Sequence, residues 1–184
     1  MYNFGITGDI SSGKSHLSLL LKFHLPFVNI IEIDDIRRYI LWHSVEPTHI
    51  LIRKELSTLF SEKTHSHFYW MNRETFTQKL FSSSYFLSLF SKKMTPIIKE
   101  YIKHHYFKKN TVNVIVWVFL LEENYNELLN GEIILTQFNS QKNINVIHRQ
   151  LVQKELFQRD LKRITFIFEN NLDLLIDRIK KHVQ

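Results

Sequence analysis

The chain alternates between short apolar runs and longer stretches in which apolar positions recur every three or four residues. The short runs cover residues 2–7, 27–33, 112–121, 132–138 and 164–168. Several are continuous and rich in Ile, Val and Phe, as strands buried on both faces are. Between them, residues 14–24, 36–43, 49–60, 73–81, 86–92, 96–107 and 172–182 read as helices. In the last of these, Leu172, Leu175, Ile176 and Ile179 fall at helical spacing. Alternating strands and helices predict an α/β fold built on a doubly wound, parallel, five-stranded sheet. The connection from residue 33 to residue 112 is too long for a simple crossover and is mostly helical in character. It predicts a helical subdomain inserted over residues 36–110 of a single domain spanning 1–184. Ser82-Ser83-Ser84 is the one low-complexity patch and reads as a loop.

The first strand and first helix bracket a chemical motif. Gly8-Asp9-Ile10-Ser11-Ser12-Gly13-Lys14-Ser15 fits the phosphate-loop pattern G-x-x-x-x-G-K-[ST] at every fixed position. The chain has 4 Gly in 184 residues, and Gly5, Gly8 and Gly13 fall together here. Gly8 and Gly13 permit backbone angles that a side chain forbids, so the loop can turn successive N–H groups toward phosphate oxygens. Lys14 is expected to place a positive charge over the outer phosphates, and the Ser15 hydroxyl to ligate Mg²⁺. The helix that follows adds the positive end of its dipole. Strand, loop and helix in that order are the context the motif requires.

Composition narrows the remaining choices. A hydrophobic share of 44% and a charged share of 23% are those of a globular domain with a sizeable core. With no Cys, the chain has no disulfide, cysteine nucleophile or cysteine metal site. No apolar run reaches the length of a membrane span, and strand and loop begin too near Met1 to leave room for a signal peptide. A cytoplasmic location, with no membrane partner, is expected. The net charge of +6 raises nucleic acid as a partner. Against it, the chain lacks Ala entirely and is rich in Lys, Asn, Ile, Phe and Tyr, as AT-biased codons dictate. Its basic pairs Lys92-Lys93, Lys108-Lys109 and Lys180-Lys181 are scattered, which reads as solvated charge and not as a nucleic-acid surface. The 10 His, including His65, His67, His104 and His105, lack the Cys or acidic company of a metal site. Trp42, Trp70 and Trp117 read as packing residues, with Trp42 or Trp70 also candidates to line an acceptor pocket.

Phosphoryl transfer also calls for a carboxylate near the attacking hydroxyl. The second strand ends in Ile31-Glu32-Ile33-Asp34-Asp35. Glu32 and Asp34 share a face while the strand persists, and Asp35 is expected to point elsewhere or cap a helix that begins near Ile36. The strand's carboxyl end is where ligands of such sheets bind, which makes Asp34 the acceptor-side candidate. The alternative is that Asp34 and Asp35 both cap the helix.

These two motifs resemble those of the dephospho-CoA kinase family. Gly5-Ile6-Thr7-Gly8-Asp9-Ile10-Ser11-Ser12-Gly13-Lys14-Ser15 is similar to the family's G-(I/L)-T-G-G-I-G-S-G-K-S, departing at Asp9 and Ser11. Glu32-Ile33-Asp34-Asp35-Ile36-Arg37-Arg38 is similar to D-A-D-x-I-A-R. Weaker echoes run through the chain: Asn72-Arg73 with Phe81, Thr95-Pro96-Ile97, Phe119-Leu120-Leu121-Glu122, and Arg149, Gln153, Phe166-Ile167 and Asn170. Glu32, Thr95, Val116 and Val118 depart from the family's Asp, His, Asp and Pro. The resemblance implies a P-loop kinase fold whose helical insertion receives the acceptor. The activity it implies is ATP- and Mg²⁺-dependent phosphorylation of the ribose 3′-hydroxyl of dephospho-CoA, the final step of CoA biosynthesis, by a monomer or weak homo-oligomer. Asp34 then takes or orients the hydroxyl proton. The residues from Gly8 through Asp9, Ile10, Ser11, Ser12, Gly13, Lys14 and Ser15 to His16 hold ATP, with Asn170 near the adenine, and Arg38 and Arg73 face the substrate. The lid, at residues 139–160, is short. Ile144 stands where its first Arg is expected, His148 is a candidate for a second place, and Arg149 is the expected lid cation. A kinase of another small molecule, such as a nucleoside, or a catalytically weakened or non-enzymatic nucleotide-binding protein are the alternatives.

Overall fold

The computed structural model of the chain describes residues 1–8, 11–136, 166–168 and 171–182. Along them run β1 (Tyr2–Gly8), α1 (Lys14–His24), β2 (Val28–Glu32), α2 (Ile33–Trp42), α3 (Pro47–Leu59), β3 (Thr64–His65), β4 (Trp70–Met71), α4 (Arg73–Leu80), α5 (Ser84–His105), β5 (Val112–Val116), a 3-10 turn (Tyr125–Leu128), β6 (Ile133–Thr136), β7 (Phe166–Phe168) and α6 (Leu172–Lys180). They divide into two compact units, one formed by Met1–Glu32 with His105–Gln184 and the other by Ile33–His104.

The first unit is the parallel sheet, in the order β2-β5-β1-β6-β7. Side chains alternate across it. Phe4, Ile6, Val112, Val114, Val116 and Ile134 face one core, closed by Leu17 and Leu21 of α1 and Leu175, Ile176 and Ile179 of α6. Arg178 of α6 donates from Nε to Glu132 at 2.6 Å, and that bond holds its guanidinium pKa above the usual range. The opposite positions of β1 are small or polar: Asn3, Gly5 and Thr7. Asn3, Asn113 and Asn29 stand in register across β1, β5 and β2. Asn113 Nδ2 donates to Asn3 Oδ1 at 3.0 Å, and Asn29 Nδ2 donates to Asn113 Oδ1 at 2.9 Å. The row satisfies amides that would otherwise be costly to bury.

Three expectations are corrected. The strand expected over 112–121 stops at Val116, and residues 118–124 are turns. Side-chain bonds add to the backbone bonds of these turns: Thr7 Oγ1 donates to the Val118 carbonyl at 3.3 Å, and Trp117 Nε1 donates to Glu123 at 2.9 Å. Leu120 and Leu121 are apolar because the turn is buried, a case periodicity cannot separate from a strand. Second, β2 ends at Glu32 and α2 begins at Ile33, so Asp34 and Asp35 occupy the first turn of a helix and not the tail of a strand. Third, the helices expected over 86–92 and 96–107 are one helix, α5, with Pro96 inside it. Pro96 removes one helical N–H, but Phe90, Met94, Ile98 and Ile102, spaced by four, bury a single stripe along its length.

The second unit packs α2 to α5 around Ile36, Ile40, Ile52, Leu56, Phe60, Phe76 and Met94. It also holds a small antiparallel hairpin, β3 with β4, that the hydrophobic pattern did not announce. At its centre Arg53 is 0% exposed. Its guanidinium donates to the carbonyls of Phe68 and Ser44, each at 2.8 Å, and of Ile40, and lies 4.0 Å from the centre of the Trp70 ring. Burial pushes its pKa below the usual guanidinium value. The Ile40 carbonyl belongs to the last turn of α2, where the helix dipole favours a cation, and Ser44 lies just beyond that helix.

Candidate nucleotide site

The site begins where β1 runs out. Gly8 has φ 144° and Gly13 φ 88°, both on the side of backbone space that L side chains avoid. At Gly8 the reason is also steric, because an added Cβ would sit 2.5 Å from both the carbonyl oxygen and Oγ1 of Thr136. Ser11 has φ 65° at a place where the similar motif has glycine. Gly13 is the N-cap of α1, and the first bond of that helix runs from the Leu17 N–H to the Gly13 carbonyl at 2.9 Å. The amides of Lys14, Ser15 and His16 therefore lie in the turn for which a helix supplies no carbonyl of its own. No acidic residue occupies that turn, so its positive end is not offset locally.

Lys14 folds across the loop it follows. Its Nζ is 2.9 Å from the Gly8 carbonyl and 3.5 Å from Ser12 Oγ. Ser15 and His16 are exposed at the helix start, and Ser12 is buried. A ring of backbone N–H groups, one ammonium and one exposed hydroxyl can bind a phosphate chain and offer one oxygen to a hard cation. Mg²⁺ suits that donor set, since it keeps several waters and takes substrate phosphates as ligands. Among the described residues no group of three His, Asp or Glu forms a further metal site. Asp9 and Ile10 lie outside the described residues, as do Asn170 and Arg149 and the other lid positions.

The remaining candidates are in the second unit. Asp34 and Arg38 lie one turn apart on α2, both exposed. Arg38 pairs with Asp35 at 3.3 Å. Arg73 opens α4, whose N-cap is Asn72: Asn72 Oδ1 accepts from the amides of Glu74 at 3.0 Å and Thr75 at 3.1 Å. That capping accounts for Asn72 where the family has Asp, since either side chain can accept these bonds. The Arg73 guanidinium lies 5.4 Å from the centre of the Trp42 ring, and Trp42 meets Phe76 edge-on. Arg37 stacks on Phe90 at 5.0 Å. Trp70 packs its ring against the Arg53 guanidinium, and Trp117 is buried with its indole N–H bonded to Glu123.

Thr136, which touches the loop, was not foreseen. Its signal in the sequence is slight: a lone hydroxyl closing the apolar strand Ile133–Thr136 at its carboxyl end, the end that faces ligands in such sheets.

Comparison with known proteins bears on the whole chain. The sequence pattern of the family described as dephospho-CoA kinase matches residues 2–170. A solved structure from Thermus thermophilus is 18% identical, covers 100% of this chain and 98% of its own, and superposes with a TM-score of 0.72. The dephospho-CoA kinase from Campylobacter jejuni is 15% identical, with coverage of 99% and 97% and a TM-score of 0.60. A shikimate kinase from Acinetobacter baumannii, solved in complex with shikimate, is 10% identical, with coverage of 100% and 93% and a TM-score of 0.50. No curated protein matches the chain. At these identities the structures speak for the P-loop kinase fold alone.

Proposed function

The chain belongs to the dephospho-CoA kinase family, and from that premise we propose that it transfers the γ-phosphoryl group of ATP to the ribose 3′-hydroxyl of dephospho-CoA, giving CoA and ADP. The observation that carries the reading is the loop. Gly8 and Gly13 adopt angles that side chains disfavour, and Lys14 spans the turn, in a chain matched by the family over residues 2–170.

In this reading the amides from Ser11 to His16 and the Lys14 ammonium bind the β- and γ-phosphates of ATP. The 3′-oxygen attacks the γ-phosphorus, the bond from that phosphorus to the β,γ-bridging oxygen breaks, and ADP leaves. The proton of the hydroxyl passes to Asp34. The Ser15 hydroxyl would hold Mg²⁺, which would supply positive charge against that of the phosphates. Arg38 and Arg73 bind the acceptor, Arg149 supplies the lid charge and Asn170 meets the adenine; these four assignments follow the family resemblance. Lys14 stabilises charge that grows toward the transition state, so its removal is expected to cost more in kcat than in acceptor binding.

An acceptor panel tests the assignment. With ATP and Mg²⁺, dephospho-CoA is expected to outrun nucleosides and shikimate by at least tenfold in kcat/KM. A panel in which another acceptor wins overturns it.

A further inference from the structure

Thr136 closes β6 in register with Gly8 and is 1% exposed. Its Oγ1 lies 3.1 Å from the Thr7 carbonyl oxygen and 2.6 Å from Ser12 Oγ. The hydrogen-bond directions follow by elimination. A carbonyl only accepts, so the single Thr136 proton goes to Thr7. Ser12 must then donate its proton to Thr136 Oγ1. An ammonium only donates, so Lys14 Nζ gives to Ser12 Oγ at 3.5 Å and to the Gly8 carbonyl at 2.9 Å. The result is a one-way relay from Lys14 through Ser12 and Thr136 to the backbone of β1. Its members Ser12, Thr136 and Thr7 are all buried, where water cannot stand in for a lost link.

The relay joins two neighbouring strands to the loop between β1 and α1. The Thr7 carbonyl and Gly8 belong to β1, and Thr136 belongs to β6. The hydroxyl reaches Ser12 because Gly8 has no Cβ, which would otherwise lie 2.5 Å from Thr136 Oγ1 and 2.8 Å from Ser12 Oγ. Glycine at position 8 and threonine at position 136 are therefore one device.

We propose that Thr136 is a positioning residue of the nucleotide site: through Ser12 it fixes the phosphate loop and the resting place of Lys14 without itself meeting ATP. This inference rests on the phosphotransferase reading above. Its functional consequence is preorganisation, since a loop already shaped for phosphate loses less freedom on binding.

Two substitutions separate hydroxyl chemistry from packing. Thr136→Val keeps the shape and removes the relay; Thr136→Ser keeps the relay and removes a methyl. Nucleotide affinity is read by titration with ATP and Mg²⁺ in the absence of acceptor, and KM and kcat with dephospho-CoA. Thr136→Val is expected to weaken ATP affinity and raise the KM for ATP about tenfold, with the KM for dephospho-CoA unchanged. Thr136→Ser is expected to stay within about twofold of the natural protein. Ser12→Ala is expected to resemble Thr136→Val, and the double variant to lose no more than about twofold beyond either, because one relay is lost once. Thermal unfolding of each variant identifies any that fails to fold, and Ser12→Ala then carries the test. If the folded Thr136→Val protein binds ATP like the natural one while that protein still forms CoA, the inference fails and the kinase reading survives. If the natural protein binds no ATP, both fail.

Discussion

Ser11 sits at φ 65° in the phosphate loop, where its Cβ crowds the backbone. A left-handed non-glycine residue costs about 1–2 kcal/mol. Glycine in its place removes that strain but brings roughly 0.5–1 kcal/mol of extra chain entropy to the unfolded state. Ser11→Gly is therefore expected to change stability by less than about 1 kcal/mol and to bind ATP at least as well, by calorimetric titration and thermal unfolding. A loss of ATP affinity beyond tenfold contradicts this account of the loop. The loop glycines were legible from the sequence because glycine takes such angles without the strain a side chain brings, and three of the chain's four glycines fall together there. Thr136 was not, because its hydroxyl acts across 124 positions of sequence, from Ser12, and nothing local marks it. Asp34 fell between these cases: its place after β2 was legible, but not that the helix begins before it, at Ile33.

At the scale of elements, Arg53 joins the end of α2 to the turn that leads into β4, using carbonyls and a Trp ring in place of a carboxylate. Arg53→Met fills much of the volume and leaves three carbonyls without their donor. The expected cost is about 2–4 kcal/mol, from unmade buried hydrogen bonds, read from the denaturant midpoint. Arg53→Lys is expected to recover little of it, since one ammonium cannot match the fork geometry. A variant as stable as the natural protein contradicts the role. The five strands were legible because short runs rich in Ile, Val and Phe leave a strong signal in the sequence. Their ends were not. At Val116 the apolar run continues into a buried turn, and the sequence carries no change of pattern where hydrogen bonding stops. α5 was read as two helices, but a stripe of four buried residues runs on through Pro96 and makes it one. The β3-β4 hairpin, with two residues in each strand, is too short to leave any periodicity.

For the whole molecule, the fold is that of P-loop kinases and the family that of dephospho-CoA kinase, and the proposal adds ATP as donor and dephospho-CoA as acceptor. Among the described residues no helix is long and apolar enough to cross a membrane. The proposed division of labour is separable: the first unit binds ATP through the loop, and Asp34 handles the proton of the acceptor. Asp34→Asn is therefore expected to keep ATP affinity within about twofold and to lower kcat by about 10²–10⁴, the usual worth of a positioned base. Equal losses in ATP binding and turnover contradict that division. The most direct test of the central claim is formation of CoA, followed by mass spectrometry, from ATP, Mg²⁺ and dephospho-CoA. The account predicts a product 80 Da heavier than the acceptor (about 80, the mass of one added HPO₃), formed by the natural protein and reduced by at least about 10²-fold in Lys14→Ala. No product above an enzyme-free blank, from protein shown to bind ATP, would contradict it.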